Sequence, residues 1–578
     1  MLKQTLFLFM MVLLGVGLFS CEEDEEMMEP EEMTMISYDL MNLDPLENGY
    51  HYEGWAIIDG SPVSTGKFNV NDAGDLVDMD GNSINNGQFD AGMDLSDASA
   101  VVVSIEPDND SDPAPAATKY LGGGVSNSMA TLSVSHSSAL GTDFMNAMGE
   151  YILATPTNGS MTNENSGIWF LNPPSTTFTM DVSALDSLQN GYHYEGWALV
   201  DGSPVTTGKF NVNSMGQAVD LEGNMIPNGE FTVGGDLGSA TAVIISIEPD
   251  GDTDPAPSNT KYLAGDVAQD MATLDVSHSA ALGDDFTSAM GDYILATPTN
   301  GSDSDENSGI WFLDPTGASP VAGLDIPTLP AGWKYEGWVV IDGTPVTTGK
   351  FTDPAAADEA APYSGTMDGP PFPGEDFLNN APAGLTFPTD LSGQTAVISI
   401  EPEMDDTEAP FTLKPLAGMI PDPATDHTLY SMNNQADGFP TISVSISVEG
   451  AMAGLDLPTL PDGWKYEGWV VMDGTPVTSG KFTDVAMADE SAPYSGSMSG
   501  PPFPGEDYLM NAPMGLTFPT DLAGQTAVIS VEPEPDDTEA PFTLKPLTGM
   551  IPMDATDHMV YDMDTNTGSL PTGTATIQ

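Results

Sequence analysis

Along residues 51–70 the apolar and polar positions follow the two-residue period of a β-strand. The runs His51-Tyr-Glu-Gly-Trp-Ala-Ile-Ile58 and Pro62-Val-Ser-Thr-Gly-Lys-Phe-Asn-Val70 flank Asp59-Gly60, a dipeptide that tolerates the positive φ angles of a tight hairpin. Ala100-Val-Val-Val-Ser-Ile105 is short, β-branched and bounded by turn formers, which suits a central strand of a sandwich. Thr118–Leu121, Ala130–Val134, Tyr151–Ala154 and Ile168–Leu171 complete a set of about seven short strands. Helical periodicity is confined to one short stretch, Ala139–Met148. The pattern predicts an all-β fold of the sandwich type, immunoglobulin-like in strand number and spacing.

The same pattern returns three more times. Tyr52-Glu-Gly-Trp55 … Gly66-Lys67-Phe68 recurs as Tyr194–Phe210, Tyr335–Phe351 and Tyr466–Phe482. Each copy leads to a second signature, Ile105-Glu106-Pro107, Ile247-Glu248-Pro249, Ile400-Glu401-Pro402 or Val531-Glu532-Pro533. An interval of about 130–140 residues is long enough for one domain per repeat. The expected division is four tandem modules, at 37–175, 176–318, 319–446 and 447–578.

The array is two plus two. The first pair (the early repeats) shares a tail, Tyr151-Ile-Leu-Ala-Thr-Pro … Asn165-Ser-Gly-Ile-Trp169-Phe, matched in the stretch from Met271 through Phe312. The second pair (the late repeats) inserts Pro362-Tyr-Ser-Gly … Gly369-Pro-Pro-Phe-Pro-Gly-Glu-Asp376, matched at Pro493–Asp507, and shares Ala424-Thr-Asp-His427 with Ala555-Thr-Asp-His558.

The repeated phrase, closed by Ile-Glu-Pro and an acidic Pro-rich loop, resembles the C-terminal domain of anti-sigma-K factors, whose pattern is Tyr-x-x-Trp … Gly-x-Phe … Thr-x-Glu-Pro. The resemblance covers about the first 70–85 residues of each module and implies an extracytoplasmic β-sandwich. It does not imply sigma-factor regulation. Those regulators place a sigma-binding domain and a transmembrane helix before this domain, and here an export signal and an acidic linker stand there instead.

That signal occupies residues 1–20. Lys3 gives a positive start, Leu6–Val16 an apolar stretch too short to span a bilayer, and Leu18-Phe19-Ser20-Cys21 resembles a bacterial lipobox. Cys21, the chain's one cysteine, is the expected lipidation site, and the acidic linker 21–36 resembles the surface-export tag of Bacteroidota lipoproteins. The expected location is the cell envelope, lipid-anchored in the outer membrane and surface-exposed.

The 578 residues carry 87 acidic side chains against 11 basic ones, all lysine, for a net charge of −76. Such a chain repels phosphate backbones, so nucleic acid is not an expected partner. All lysines beyond Lys3 fall at repeated positions, as expected of local ion pairs.

Two candidate sites follow. The loops after Ile-Glu-Pro alternate carboxylates, Asp108, Asp110 and Asp112 in the first module and Asp250, Asp252 and Asp254 in the second. Such oxygens suit Ca²⁺, although Pro113 and Pro255 stand where an EF-hand loop needs glycine; the alternative is a solvated hairpin. Trp333 and Trp464, with Tyr363, Phe372, Tyr494 and Phe503 on the Pro-rich insertions, form either an aromatic platform for sugar or peptide, or local packing. No G-x-S-x-G elbow, HExxH or C-x-x-C occurs, so no catalytic residue is assigned and no cofactor is required. The expected function is a non-enzymatic, exported lipoprotein acting as a binding or structural module. Alternatives are a glycan- or small-molecule-binding lipoprotein and a sensory partner of an envelope signalling system.

Overall fold

A computed structural model describes residues 34–46, 49–159, 162–405, 407–535 and 538–578. Cys21, the signal segment and most of the acidic linker lie outside the described residues. The fold is all-β, with curled antiparallel sheets, and no α-helix occurs among the described residues. Ala139–Met148, expected as a short helix, is instead a series of turns. Gly141 at φ 76° and Phe144 at φ 55° interrupt any helical run there.

The hairpin prediction holds in all four repeats. In the first, Tyr50–Ile58 pairs with Ser61–Val70 through Asp59-Gly60, both in the left-handed region at φ 49° and 77°. Each hairpin carries a bulge at the Gly-Trp step, for example where Gly54 faces Gly66 but Trp55 faces Ser64. The bulge turns Thr65 into the core, where its hydroxyl lies 2.6 Å from Tyr38 Oη. A Cβ on Gly54 would collide with that Tyr38 oxygen, and one on Gly66 with the Phe89 ring. The two glycines of the repeated phrase are therefore fixed by close packing against a bulge.

The chain forms two compact units rather than four. One comprises Met1–Leu171 with Ala453–Gln578, the other Asn172–Met452. Each unit thus holds one early and one late repeat, and the two repeats share one main hydrophobic core, with smaller apolar clusters beside it. In the first unit the nine-stranded sheet runs from Leu76–Val77 through the hairpin, Ala98–Pro107, Lys119–Ser126 and Met129–Ser133. It then takes in Thr572–Ile577, from the fourth repeat, before Met35–Met41 and Gln88–Asp90. In return, Met148–Leu153 and Ile168–Trp169 of the first repeat join the sheet of Trp464–Met472 and its neighbours.

The second unit repeats the exchange. Ile442–Glu449, which begins in the third repeat and runs past its expected end at 446, lies between Met271–Leu274 and Ser175–Met180. Met290–Leu295 of the second repeat pairs with Leu324–Asp325 and Tyr430–Ser431 of the third. The register brings Phe178 opposite Ile446 and Thr176 opposite Val448. The tail of each early repeat also supplies a core plug. Phe170 sits where a Cβ on Gly468 would meet it at 2.9 Å, and Phe312 stands in the same relation to Gly337.

Candidate functional site

In every repeat the tryptophan of the phrase is tied to the glutamate of the second signature. Trp55, Trp197, Trp338 and Trp469 each donate from Nε1 to a serine hydroxyl at 2.8 Å, on Ser104, Ser246, Ser399 and Ser530. Each serine donates in turn to a buried glutamate, Glu106, Glu248, Glu401 or Glu532. The same carboxylate oxygen accepts a backbone N–H at the far end of the acidic loop, from Ala116, Ser258, Phe411 or Phe542 at 2.8–2.9 Å. The Ile-Glu-Pro signature is thus a clasp that closes the loop onto the sheet. Burial pushes Glu401 up to about 8, against the hydrogen bonds from Ser399 and Phe411, and raises Glu106 as well.

A second polar pair crosses the hairpin. The phrase's glutamate accepts from a hydroxyl on the facing strand, Ser64 to Glu53 at 2.5 Å and Thr206 to Glu195 at 2.6 Å. The lysine beside it completes an ion pair, Lys67–Glu53 and Lys209–Glu195 at 3.5 Å, Lys350–Glu336 and Lys481–Glu467 at 3.9 Å. These contacts make the lysine of the phrase a framework ion pair in each repeat, whereas Lys119 and Lys261, after the acidic loop, instead donate to the backbone carbonyls of Ala116 and Ser258.

The acidic loops engage their carboxylates locally. Asp108 Oδ1 lies 3.1 Å from Nδ1 of the buried His51, and Asp250 stands likewise to His193. Asp110 accepts from the Asp112 amide and Asp112 from the Ala114 amide; Asp252 and Asp254 repeat both turns. In the late repeats a lysine replaces the histidine: Lys334 pairs with Glu359 at 2.8 Å and Glu403 at 3.6 Å, and Lys465 with Glu490 and Glu534. A basic side chain under the first acid of the loop is therefore common to all four repeats. No group of three or more His, Cys, Asp or Glu side chains is arranged to hold a metal ion among the described residues.

The six aromatic candidates do not make a stacking platform. Trp333 and Trp464 are 3% exposed, Phe372 9% and Phe503 7%. Trp333 packs on Tyr262 and Phe411, and Trp464 on Tyr120 and Phe542. Phe372 joins Ile294 and Trp311, and Phe503 joins Ile152 and Trp169. Tyr363 and Tyr494 are half-buried against Phe387 and Phe518. The Pro-rich insertion is held down by its acids. Asp376 accepts from Trp311 Nε1 and the Thr299 amide, both at 2.8 Å, and Asp507 accepts from Trp169 and Thr157 at 2.7 Å.

Two features of the junction between early and late repeats escaped sequence reasoning, because each draws on segments far apart in the chain. The first is an apolar cleft in each unit. In the second unit Leu188, Tyr192, Ile247, Met404, Pro410 and Phe411 bound about 220 Å³. In the first, Leu46, Tyr50, Ile105, Pro535, Pro541 and Phe542 bound about 520 Å³. Tyr262 and Trp333 pack against the Phe411 wall, and Tyr120 and Trp464 against Phe542. The hydroxyls of both tyrosines and Nε1 of both tryptophans are buried without a hydrogen-bond partner among the described residues. The second feature is a polar groove of about 510 Å³ beside Glu306, Asn307, Asp390 and Asp426, with a counterpart of about 410 Å³ beside Glu164, Asn165, Asp521 and Asp557. Its acids are partly engaged: Glu306 accepts from the Thr297 amide and hydroxyl, and Asp390 from the Ser392 amide. Comparison with family models, curated proteins and solved structures finds no match to this chain.

Proposed function

We propose that the protein is a non-enzymatic, exported lipoprotein, anchored through Cys21 in the outer membrane, whose four anti-sigma-K-like repeats serve as a binding and structural module at the cell envelope. The observation that supports this most is the fate of the repeat's chemistry-bearing residues. The tryptophan, both glutamates, the lysine and the first acid of the loop are each engaged by neighbours within the repeat: Trp55 with Glu106 through Ser104, Lys67 with Glu53, and Asp108 with His51. Residues used in this way give rigidity. The role requires no cofactor. Met35–Met41, the first described strand, is hydrogen-bonded on one side to Thr572–Ile577 and on the other to Gln88–Asp90. A pull from a lipid anchor upstream would load that ladder in shear, the direction in which all its bonds resist together. Cys21→Ser is expected to move the protein from the membrane fraction to the soluble fraction; a variant that still fractionates with the envelope would overturn the anchor.

The apolar clefts favour a second reading, capture of a small apolar molecule in preference to a glycan. Each is lined by proline and aromatic side chains, with unpaired tyrosine and tryptophan donors behind the wall.

A further inference from the structure

Methionine is ordinarily a core residue, but here it is placed on the surface. The chain has 33 methionines. Of the twenty-six described, twenty-one are exposed, four (Met180, Met432, Met472 and Met563) are buried in the core, and Met35 lies between. Among the described residues, the other exposed large hydrophobic side chains are only Leu221, Val321, Val448 and Val560; isoleucine and phenylalanine contribute none. Met514 is fully exposed, Met553 81%, Met215 and Met419 75%. If this surface merely tolerated apolar volume, leucine and isoleucine would share it, because leucine and methionine differ little in size. What distinguishes methionine is the thioether sulfur. The sites are spread over both units and all four repeats, so no single pocket or metal cluster explains them.

We propose that these side chains form a sacrificial coat that consumes two-electron oxidants, hypohalous acids or peroxides, before they reach other envelope components. In the step with hypochlorous acid, the thioether sulfur gains a bond to oxygen and is oxidised by two electrons to the sulfoxide. The O–Cl bond breaks, chlorine leaves as chloride, and the proton goes to water. With hydrogen peroxide the O–O bond breaks and water leaves. A sulfoxide is polar, so it disrupts a core but is tolerated where the side chain already faces solvent. Sulfoxides are also reducible by dedicated reductases, which would make the coat renewable. No cysteine other than Cys21 competes for the oxidant. The chemistry belongs to the chain itself, whereas protection of the envelope rests on the location proposed above.

The test is a titration of the purified full-length chain with hypochlorous acid, followed by intact mass, peptide mapping and thermal melting, with a free methionine-containing peptide present as competitor. The chain is expected to gain close to one oxygen per exposed methionine with its cooperative melt retained, to leave the four core methionines unmodified, and to spare the competitor. Replacing the exposed methionines of residues 172–452 by leucine should remove oxygen uptake from that unit alone and leave uptake in the other unchanged. Loss of the cooperative melt before half of the exposed sites are consumed, or no sparing of the competitor, would overturn the proposal. In cells, a strain carrying the leucine-substituted chain should survive hypochlorite several-fold less well than one carrying the natural chain. Equal survival overturns the protective role even if uptake in vitro is normal, and fractionation of both strains shows separately whether the envelope location holds.

Discussion

Burial of acids gives single side chains control over the stability of the late repeats. Burial pushes Asp358 up to about 7 and Asp489 up to about 6; Asp358 accepts from the Gly374 amide and Asp489 from the Gly505 amide, both at 2.9 Å. Glu506 is raised to about 7 by the same cause. Each folded value lies above the unfolded one, near 4, so the folded state holds a proton that the unfolded state releases. The associated stability is therefore fully present below about pH 4 and is lost as pH rises through 6–7. Melting temperature should fall between pH 5 and pH 8. Asp358→Asn and Asp489→Asn keep a carbonyl acceptor but cannot ionise, so each should flatten that fall by about 1–2 kcal/mol after allowance for solvent screening. An unchanged slope in both variants would assign the pH dependence to the general repulsion of a chain at −76. Of these acids, the sequence singled out only those inside the repeated insertion, such as Glu506, and nothing local marked their burial. Whether a carboxylate faces water or a tryptophan depends on which segment covers it.

At the scale of the element, the exchanged strands are the weak point of the fold. Thr572–Ile577 fills an interior place in the first unit's sheet that carries the Tyr50–Val70 hairpin, pairing with Met129–Ser133 on one side and Met35–Met41 on the other. It also buries Ala575 and Ile577 in the shared core. Deleting residues 572–578 removes two hydrogen-bonded ladders and those side chains, a loss expected to exceed about 4 kcal/mol. The first unit should then melt early or fail to fold, while the second keeps its transition. A synthetic peptide of residues 571–578 added in excess should restore part of the loss. Two-state melting of the truncated chain at the natural temperature would show that the strand is dispensable. The strands read from the sequence do not include this segment. Its alternation Thr-Gly-Thr-Ala-Thr-Ile fits a half-buried strand, but nothing local names the sheet it enters.

At the scale of the molecule, the compact unit is one early and one late repeat together. The cores of the second and third repeats merge through Tyr262, Trp333, Phe312 and Phe178, drawn from both sides of the expected boundary at 318/319. A fragment of residues 172–452 should therefore melt cooperatively, within a few degrees of the corresponding transition in the full chain. Residues 319–446 alone lack Met290–Leu295 and Ile310–Trp311, the strands that complete their sheet, and leave Trp333 and Leu416 uncovered. This shorter fragment should show no cooperative transition. Differential scanning calorimetry of the two fragments distinguishes the shared core from four self-sufficient beads.

The sequence by itself determined the all-β class, the hairpin at each Asp-Gly, the Ile-Glu-Pro strand and the four-fold repetition. These depend on two-residue periodicity and on turn residues, which act over a few positions of chain. Only the tertiary structure decided that repeats pair as first with fourth and second with third, that four of the six candidate aromatics are buried and two half-buried, and that clefts open at the junctions. Alternation records which face of a strand meets the core. It carries no mark of which sheet supplies the neighbouring strand, so any partner with the same face and register satisfies it equally. That choice is made by closure of whole sheets over a common core, between segments as far apart in the first unit as Ile36 and Ile577.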